Sequence, residues 1–152
     1  MGSPLGPILV NIFVGYFESI LFSKFQKPIH YIRYVDDIFV SYNDDYNIDE
    51  LFSKISNLHP NLNFTIEKEK DNRLPFLDVL LVRIDTELLT TVYRKSTFAG
   101  QYVPFQSFCP LSQKINLISC LVFRAFKTCS KKLFDEELDK IKSIFGPLGY
   151  PS

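Results

Sequence analysis

Two carboxylates stand side by side inside an apolar, aromatic stretch: Asp36 and Asp37 in Tyr31-Ile32-Arg33-Tyr34-Val35-Asp36-Asp37-Ile38-Phe39-Val40-Ser41-Tyr42. The runs on either side are aromatic and β-branched and favour strands, which puts the pair at the tip of a hairpin. Two acids at such a tip can hold a hard divalent cation through oxygen ligands. Aspartate is also an ordinary turn residue, because its short side chain tolerates unusual backbone angles. If the first strand continues through them, the two side chains point to opposite faces, and they diverge less if the chain turns there. Taken alone the hairpin reads as a plain turn, and the residues around it shift that balance.

The other groups capable of chemistry are less pointed. Asp44 and Asp45 form a second acidic pair but lack an apolar frame, so they read as solvated loop residues. Asp78 lies in an apolar run and is expected to be a structural carboxylate, hydrogen-bonded or near an edge. His59 precedes Pro60 at a helix end, which suits a capping or solvated role, and His30 has no Cys or His at ligand spacing. Cys109, Cys120 and Cys129 are odd in number and lack paired zinc spacing, which points to a reducing compartment rather than a disulfide scaffold. Formal charge is zero overall but divided. Residues 1–87 carry 8 Lys and Arg against 13 Asp and Glu, and residues 88–152 carry 9 against 4. An acidic half followed by a basic half suits a metal site accompanied by a polyanion-binding surface.

The elements that must position these groups follow from patterning. A chain of 152 residues, 46% of them apolar, holds enough for one domain's core and is not a disordered segment. Ser3 can cap a helix that Pro4 begins, and Leu5, Ile8, Leu9, Ile12, Tyr16 and Ile20 carry it at helical spacing to about Lys24. Residues 1–22 hold one charge, Glu18. Asn11, two glycines and two prolines make a poor membrane span, so a deeply buried helix is expected. No charged segment precedes the first apolar stretch as a secretory signal requires. An amphipathic helix follows over 49–58, then strands over 63–68, 74–83 and 88–94. Leu111, Ile115, Ile118, Val122, Ala125, Phe126 and Cys129 trace the apolar face of a further helix, with Lys114, Arg124, Lys127, Lys131 and Lys132 on the rest. A last helix is expected over 134–145. Helix, strands, then helices predict an α+β fold: a helix packed on an antiparallel sheet built on the hairpin, with a separate helical part after it.

Gly2-Ser3-Pro4-Leu5-Gly6-Pro7 with Asn11, followed by Tyr34-Val35-Asp36-Asp37, resembles the palm of a reverse transcriptase. The opening stretch is similar to that family's Gly-x-Pro-Leu helix start, which lies against the template and the incoming nucleotide. Tyr34-Val35-Asp36-Asp37 is similar to its Tyr-x-Asp-Asp metal hairpin. Phe76-Leu77-Asp78-Val79, Tyr93-Arg94-Lys95-Ser96-Thr97 and the closing helices most resemble Penelope-like retroelements. The resemblance implies a partial polymerase palm over residues 1–98 and a thumb-like helical region over 99–152.

It further implies that Asp36 and Asp37 are catalytic and bind Mg²⁺ or Mn²⁺, and that Gly2, Ser3, Pro4, Gly6, Asn11 and Tyr34 contact nucleotide or template. The partners would be an RNA template, a DNA primer and a dNTP. Arg94, Lys95, Arg124, Lys127 and Lys131 are expected on the phosphates of the RNA–DNA hybrid, reading backbone and shape. In two-metal nucleotidyl transfer the ions clamp the attacking and leaving oxygens. Asp36 would bridge them together with a first aspartate that such enzymes carry upstream, and Asp37 would support it. That upstream strand, the fingers before it and the endonuclease domain that Penelope-like elements usually add after the thumb are not in this sequence. The expectation is therefore a polymerase fragment, inactive alone, intracellular and nuclear. A non-catalytic nucleic-acid-binding relic and a structural α+β module stay open beside it.

Overall fold

A computed structural model describes residues 4–85 and 87–151. Gly2 and Ser3, and with them the expected cap, lie outside those residues. The element order is α1 (Gly6–Lys24), β1 (His30–Tyr34), β2 (Asp37–Ser41), α2 (Ile48–Ser56), β3 (Arg73–Phe76), β4 (Val79–Ile84), β5 (Glu87–Val92), α3 (Leu111–Thr128) and α4 (Lys131–Phe145), closed by a short 3-10 turn at Gly146–Leu148. This is the α+β architecture that the patterning predicts. It is built as two compact units that divide between Glu67 and Lys68. The single sheet expected around the hairpin is instead two: a two-stranded β1–β2 pair in the first unit and a β3-β4-β5 meander in the second.

In the first unit α1 starts at Gly6 rather than Pro4. Pro7 sits within its first two positions, where the missing N–H costs no helical bond. α2 is capped by Asn47, whose side chain accepts from the Glu50 amide at 3.0 Å. Leu21, Leu51 and Ile55 form the core, with Tyr31, Val40 and Phe64 packed against them. Deep burial of α1 is not found. Among its described residues Val14 and Leu21 are buried, while Leu9, Ile12 and Tyr16 are each more than 60% exposed. A helix that is apolar all round cannot bury itself against one small core. α1 is also the one helix among the described residues with the length and apolarity to cross a membrane. The strand expected over 63–68 does not form. Its backbone finds no ladder partner among the described residues, and a strand without a partner leaves its N–H and C=O groups to solvent.

In the second unit the strand expected over 74–83 breaks at Leu77-Asp78, where Leu77 takes a φ of 54°. The break gives the tight turn between β3 and β4, with Phe76 opposite Val79. Asp78 therefore sits in a turn, not inside a strand. β5 is locked to the helices: the Thr90 amide donates to Ser130 Oγ at 2.9 Å, and Thr90 Oγ1 donates to the Thr128 carbonyl at 2.7 Å. Val92, Ala125, Ile141 and Phe145 are the core that this contact closes. The C-terminal helices share the compact unit Lys68–Ser152 with the β3–β5 meander, and position 98/99 lies inside it. The apolar face of α3 is also rotated from expectation. Leu111, Ile115 and Phe126 are more than half exposed, while Lys114 is buried. Its ammonium donates to the carbonyls of Phe105 and Ser107 at 2.7 and 2.8 Å, so a buried lysine keeps its charged end satisfied.

Candidate functional site

The hairpin ladder runs from His30 opposite Ser41 to Tyr34 opposite Asp37, which leaves Val35 and Asp36 as a two-residue turn. Val35 has a φ of 56° and Asp36 stays on the ordinary side, the pattern of turns that favour glycine at the first central position. A β-branched residue there costs roughly 1–2 kcal/mol. Asp36 and Asp37 are both exposed. Neither carboxylate takes a hydrogen bond or an ion pair from the described residues. The chain turns before Asp37 begins β2, so the two acids do not belong to one uninterrupted strand.

What holds this turn in place went unnoticed in the sequence. β1 alternates exposed and half-buried, with Tyr31 and Arg33 facing inward and Ile32 and Tyr34 facing out. Arg33 Nε donates to Glu18 Oε1 of α1 at 2.7 Å, and Nη1 donates to Asn11 Oδ1 at 2.7 Å and to the Val35 carbonyl at 3.1 Å. Tyr31 donates its phenol to the same Glu18 oxygen at 2.9 Å. Burial, and then the hydrogen bond to Glu18 and its charge, push the Tyr31 phenol well above its usual range. The Arg33 and Glu18 side chains are 13% and 17% exposed, so this pair is screened far less than a surface one. A signal for it existed: the one charge in the apolar run 1–22 and the one charge in β1 are of opposite sign.

The expected nucleotide and template residues distribute unevenly. Asn11 is joined to the turn through Arg33. Tyr34 is 62% exposed on the outer face of β1. Pro4 precedes α1, and a side chain added at Gly6 would meet no atom within 4 Å. Gly2 and Ser3 lie outside the described residues. As a donor set, Asp36 and Asp37 are free, exposed carboxylate oxygens, the type a hard cation takes. Among the described residues no group of three or more Asp, Glu, His or Cys side chains gathers as a metal-binding cluster. The pair therefore fits part of a coordination shell, completed by water or phosphate oxygens, and not a closed protein cage.

The expected phosphate contacts gather in the second unit, but they are not equivalent. Arg94 is held in a two-pronged pair with Glu137, which is fully buried. That hydrogen bonding holds Arg94 above its usual pKa against the opposing effect of burial. Lys95 is exposed and takes no ion pair among the described residues. Arg124 pairs with the largely exposed Asp78 at 3.1 Å, and its Nε is buried without a hydrogen-bond partner. These three cations and Thr97, Phe98 and Tyr102 line one cavity of about 300 Å³. Lys127 is exposed, its ammonium 5.5 Å from the Phe123 ring centroid, and exposed Lys131 opens α4. Lys132, beside Lys131, is paired with Glu87.

Residues 1–80 match the family of reverse transcriptases (RNA-dependent DNA polymerases), which is 80 of the 152 residues. Residues 101–152 match the animal helix-turn-helix domain, a stretch that contains α3 and α4. No curated protein matches this chain, and no solved structure does.

Proposed function

Because this chain belongs to the reverse transcriptase family, we propose that its Asp36–Asp37 turn serves nucleotidyl transfer onto a primer 3′-hydroxyl opposite an RNA template. The observation that carries this reading is the free carboxylate pair at the hairpin tip, its turn tied through Arg33 to Asn11 and Glu18 on α1. Asp36 and Asp37 would hold Mg²⁺ or Mn²⁺, which when bound lowers the pKa of the attacking hydroxyl and offsets charge on the triphosphate. The two acids contribute fixed negative charge and oxygen donors. Asn11 and Tyr34, with Pro4 and Gly6 at the start of α1, would align the nucleotide and template. The two carboxylates alone do not complete a two-metal site, so further acid ligands are part of the proposal, as is inactivity of this chain by itself. Residues 99–152 would hold the hybrid as a thumb does, and the Penelope-like subfamily and a nuclear site of action belong to the same reading.

The basic cluster favours a second reading, a nucleic-acid-binding protein without catalysis. The animal helix-turn-helix match and the exposed side chains of Lys95, Lys127 and Lys131 support it. One set of measurements separates the two. Mn²⁺ should broaden the amide resonances of residues 35–38 in the wild type and not in Asp36→Asn. RNA–DNA hybrid should bind both proteins, with affinity falling by roughly 0.7–0.9 log units per phosphate contact for each tenfold rise in salt. Equal Mn²⁺ binding by both proteins removes the catalytic reading. A salt slope unchanged in Lys127→Ala, Lys131→Ala removes the assignment of those residues to phosphates.

A further inference from the structure

Arg33 sits where three separate parts of the first unit meet. Its guanidinium takes an acid and a carboxamide about two turns apart on α1, and the carbonyl of the residue that precedes Asp36. A fourth contact, Nη2 to the Asn11 carbonyl at 3.4 Å, runs to the helix backbone. A guanidinium has five donors in a fixed plane and no acceptor. It can therefore hold several oxygens at set angles, and each partner must present an oxygen to it.

Two consequences follow. The Val35 carbonyl is fixed, and with it the turn whose φ of 56° a valine adopts only at a cost. Asp36, the next residue in the chain, is thereby tied to Arg33 as well as to the turn's own preference. Asn11, for its part, must face Arg33 with Oδ1, so its Nδ2 hydrogens remain for another group. Asn11 is exposed, and no described residue takes those hydrogens.

We propose that Arg33 is the positioning residue of the hairpin site: it sets the Asp36–Asp37 turn through the Val35 carbonyl and turns the Asn11 carboxamide so that it offers N–H donors to an acceptor oxygen of nucleotide or template. Glu18 anchors it, and Tyr31 shares that anchor. The metal and nucleotide parts of this inference rest on the function proposed above, and the placement of the turn does not. Lysine at position 33 keeps the charge beside Glu18 but has one compact ammonium, which cannot serve Glu18, Asn11 and Val35 together.

The test uses the 152-residue chain, labelled with ¹³C and ¹⁵N, as wild type, Arg33→Lys, Arg33→Gln and Asp36→Asn. Both Arg33 variants should move the Val35 carbonyl carbon, the Asp36 and Asp37 amides and the Asn11 side-chain amide. The ladder amides from His30 to Tyr34 should keep their exchange protection. Mn²⁺ broadening at Asp36 and Asp37 should require roughly tenfold more metal. Unchanged turn and Asn11 resonances in both variants overturn the proposal. So does loss of ladder protection in step with the turn, because Arg33 would then stabilise the hairpin as a whole. If Arg33→Gln fails to fold, Arg33→Lys carries the measurement. Wild-type Mn²⁺ binding by Asp36→Asn defeats the metal reading instead, and the turn resonances still decide the role of Arg33.

Discussion

Replacing Glu137 by glutamine removes one charge from the most enclosed ion pair in the second unit. Glu137 is fully buried, and its two carboxylate oxygens receive Nη1 and Nη2 of Arg94. Glutamine keeps one acceptor but turns an NH₂ group toward the second guanidinium nitrogen, donor against donor. Arg94, whose side chain is 24% exposed, is left with a charge that water reaches poorly. Breaking such a pair from one side costs about 3–5 kcal/mol, a large part of the roughly 5–15 kcal/mol that holds a domain folded. For a chain of this size that is a fall in Tm of roughly 6–20 °C. The double variant Arg94→Met, Glu137→Leu removes both charges and should recover most of the loss, since the desolvation cost goes with them. Chemical denaturation and calorimetry on wild type, single and double variants measure all of this. A Glu137→Gln protein within about 1 kcal/mol of wild type, or a double variant no better than the single, refutes the reasoning. The same experiment bears on function, because an Arg94 committed to Glu137 is a poor phosphate ligand and its removal should lower stability more than hybrid affinity.

Val35→Gly should stabilise the first unit by about 1 kcal/mol, because glycine adopts a positive φ without the clash that valine's branched Cβ makes. Denaturant melts read this directly, and a destabilised variant would show that the valine side chain packs favourably enough to outweigh the strain. Tyr31→Phe should cost about 1.5 kcal/mol near neutral pH by removing the bond to Glu18. The raised Tyr31 pKa makes this contribution full below about pH 10, the unfolded value, and loses it as pH climbs toward the folded value. The gap between wild type and variant should therefore narrow in alkali, and a constant gap from pH 7 to the alkaline limit of folding would count against a buried, raised phenol.

The hairpin and the helices were legible in the sequence because their signals are local. Aromatic and β-branched runs around Asp36 and Asp37, helical spacing through residues 6–24, and the amphipathic stretch over 49–58 each depend on neighbours a few residues away. The carboxylate pair at the hairpin tip was legible for the same reason, since Tyr34-Val35-Asp36-Asp37 is one contiguous stretch. The failures also have a local cause. The 63–68 stretch alternates as a strand should, but pairing needs a second strand, and alternation says nothing about where one lies. The break at Leu77-Asp78 was hidden because leucine inside an apolar run gives no turn signal.

Tertiary structure alone decided which charges are free. Lys114 reads in the sequence as part of a basic surface and is buried, because two loop carbonyls lie within reach of its ammonium. Arg94 and Lys95 are neighbours in sequence, yet one is committed to Glu137, 43 residues away, and the other is exposed. Arg33 was one cation in an apolar strand until Glu18, Asn11 and the Val35 carbonyl were brought around it. Periodicity reports which face of an element is apolar; it carries no information on what stands opposite a charged side chain. The pairing of charges is settled by packing between distant segments, and it separates the side chains left exposed from those already held.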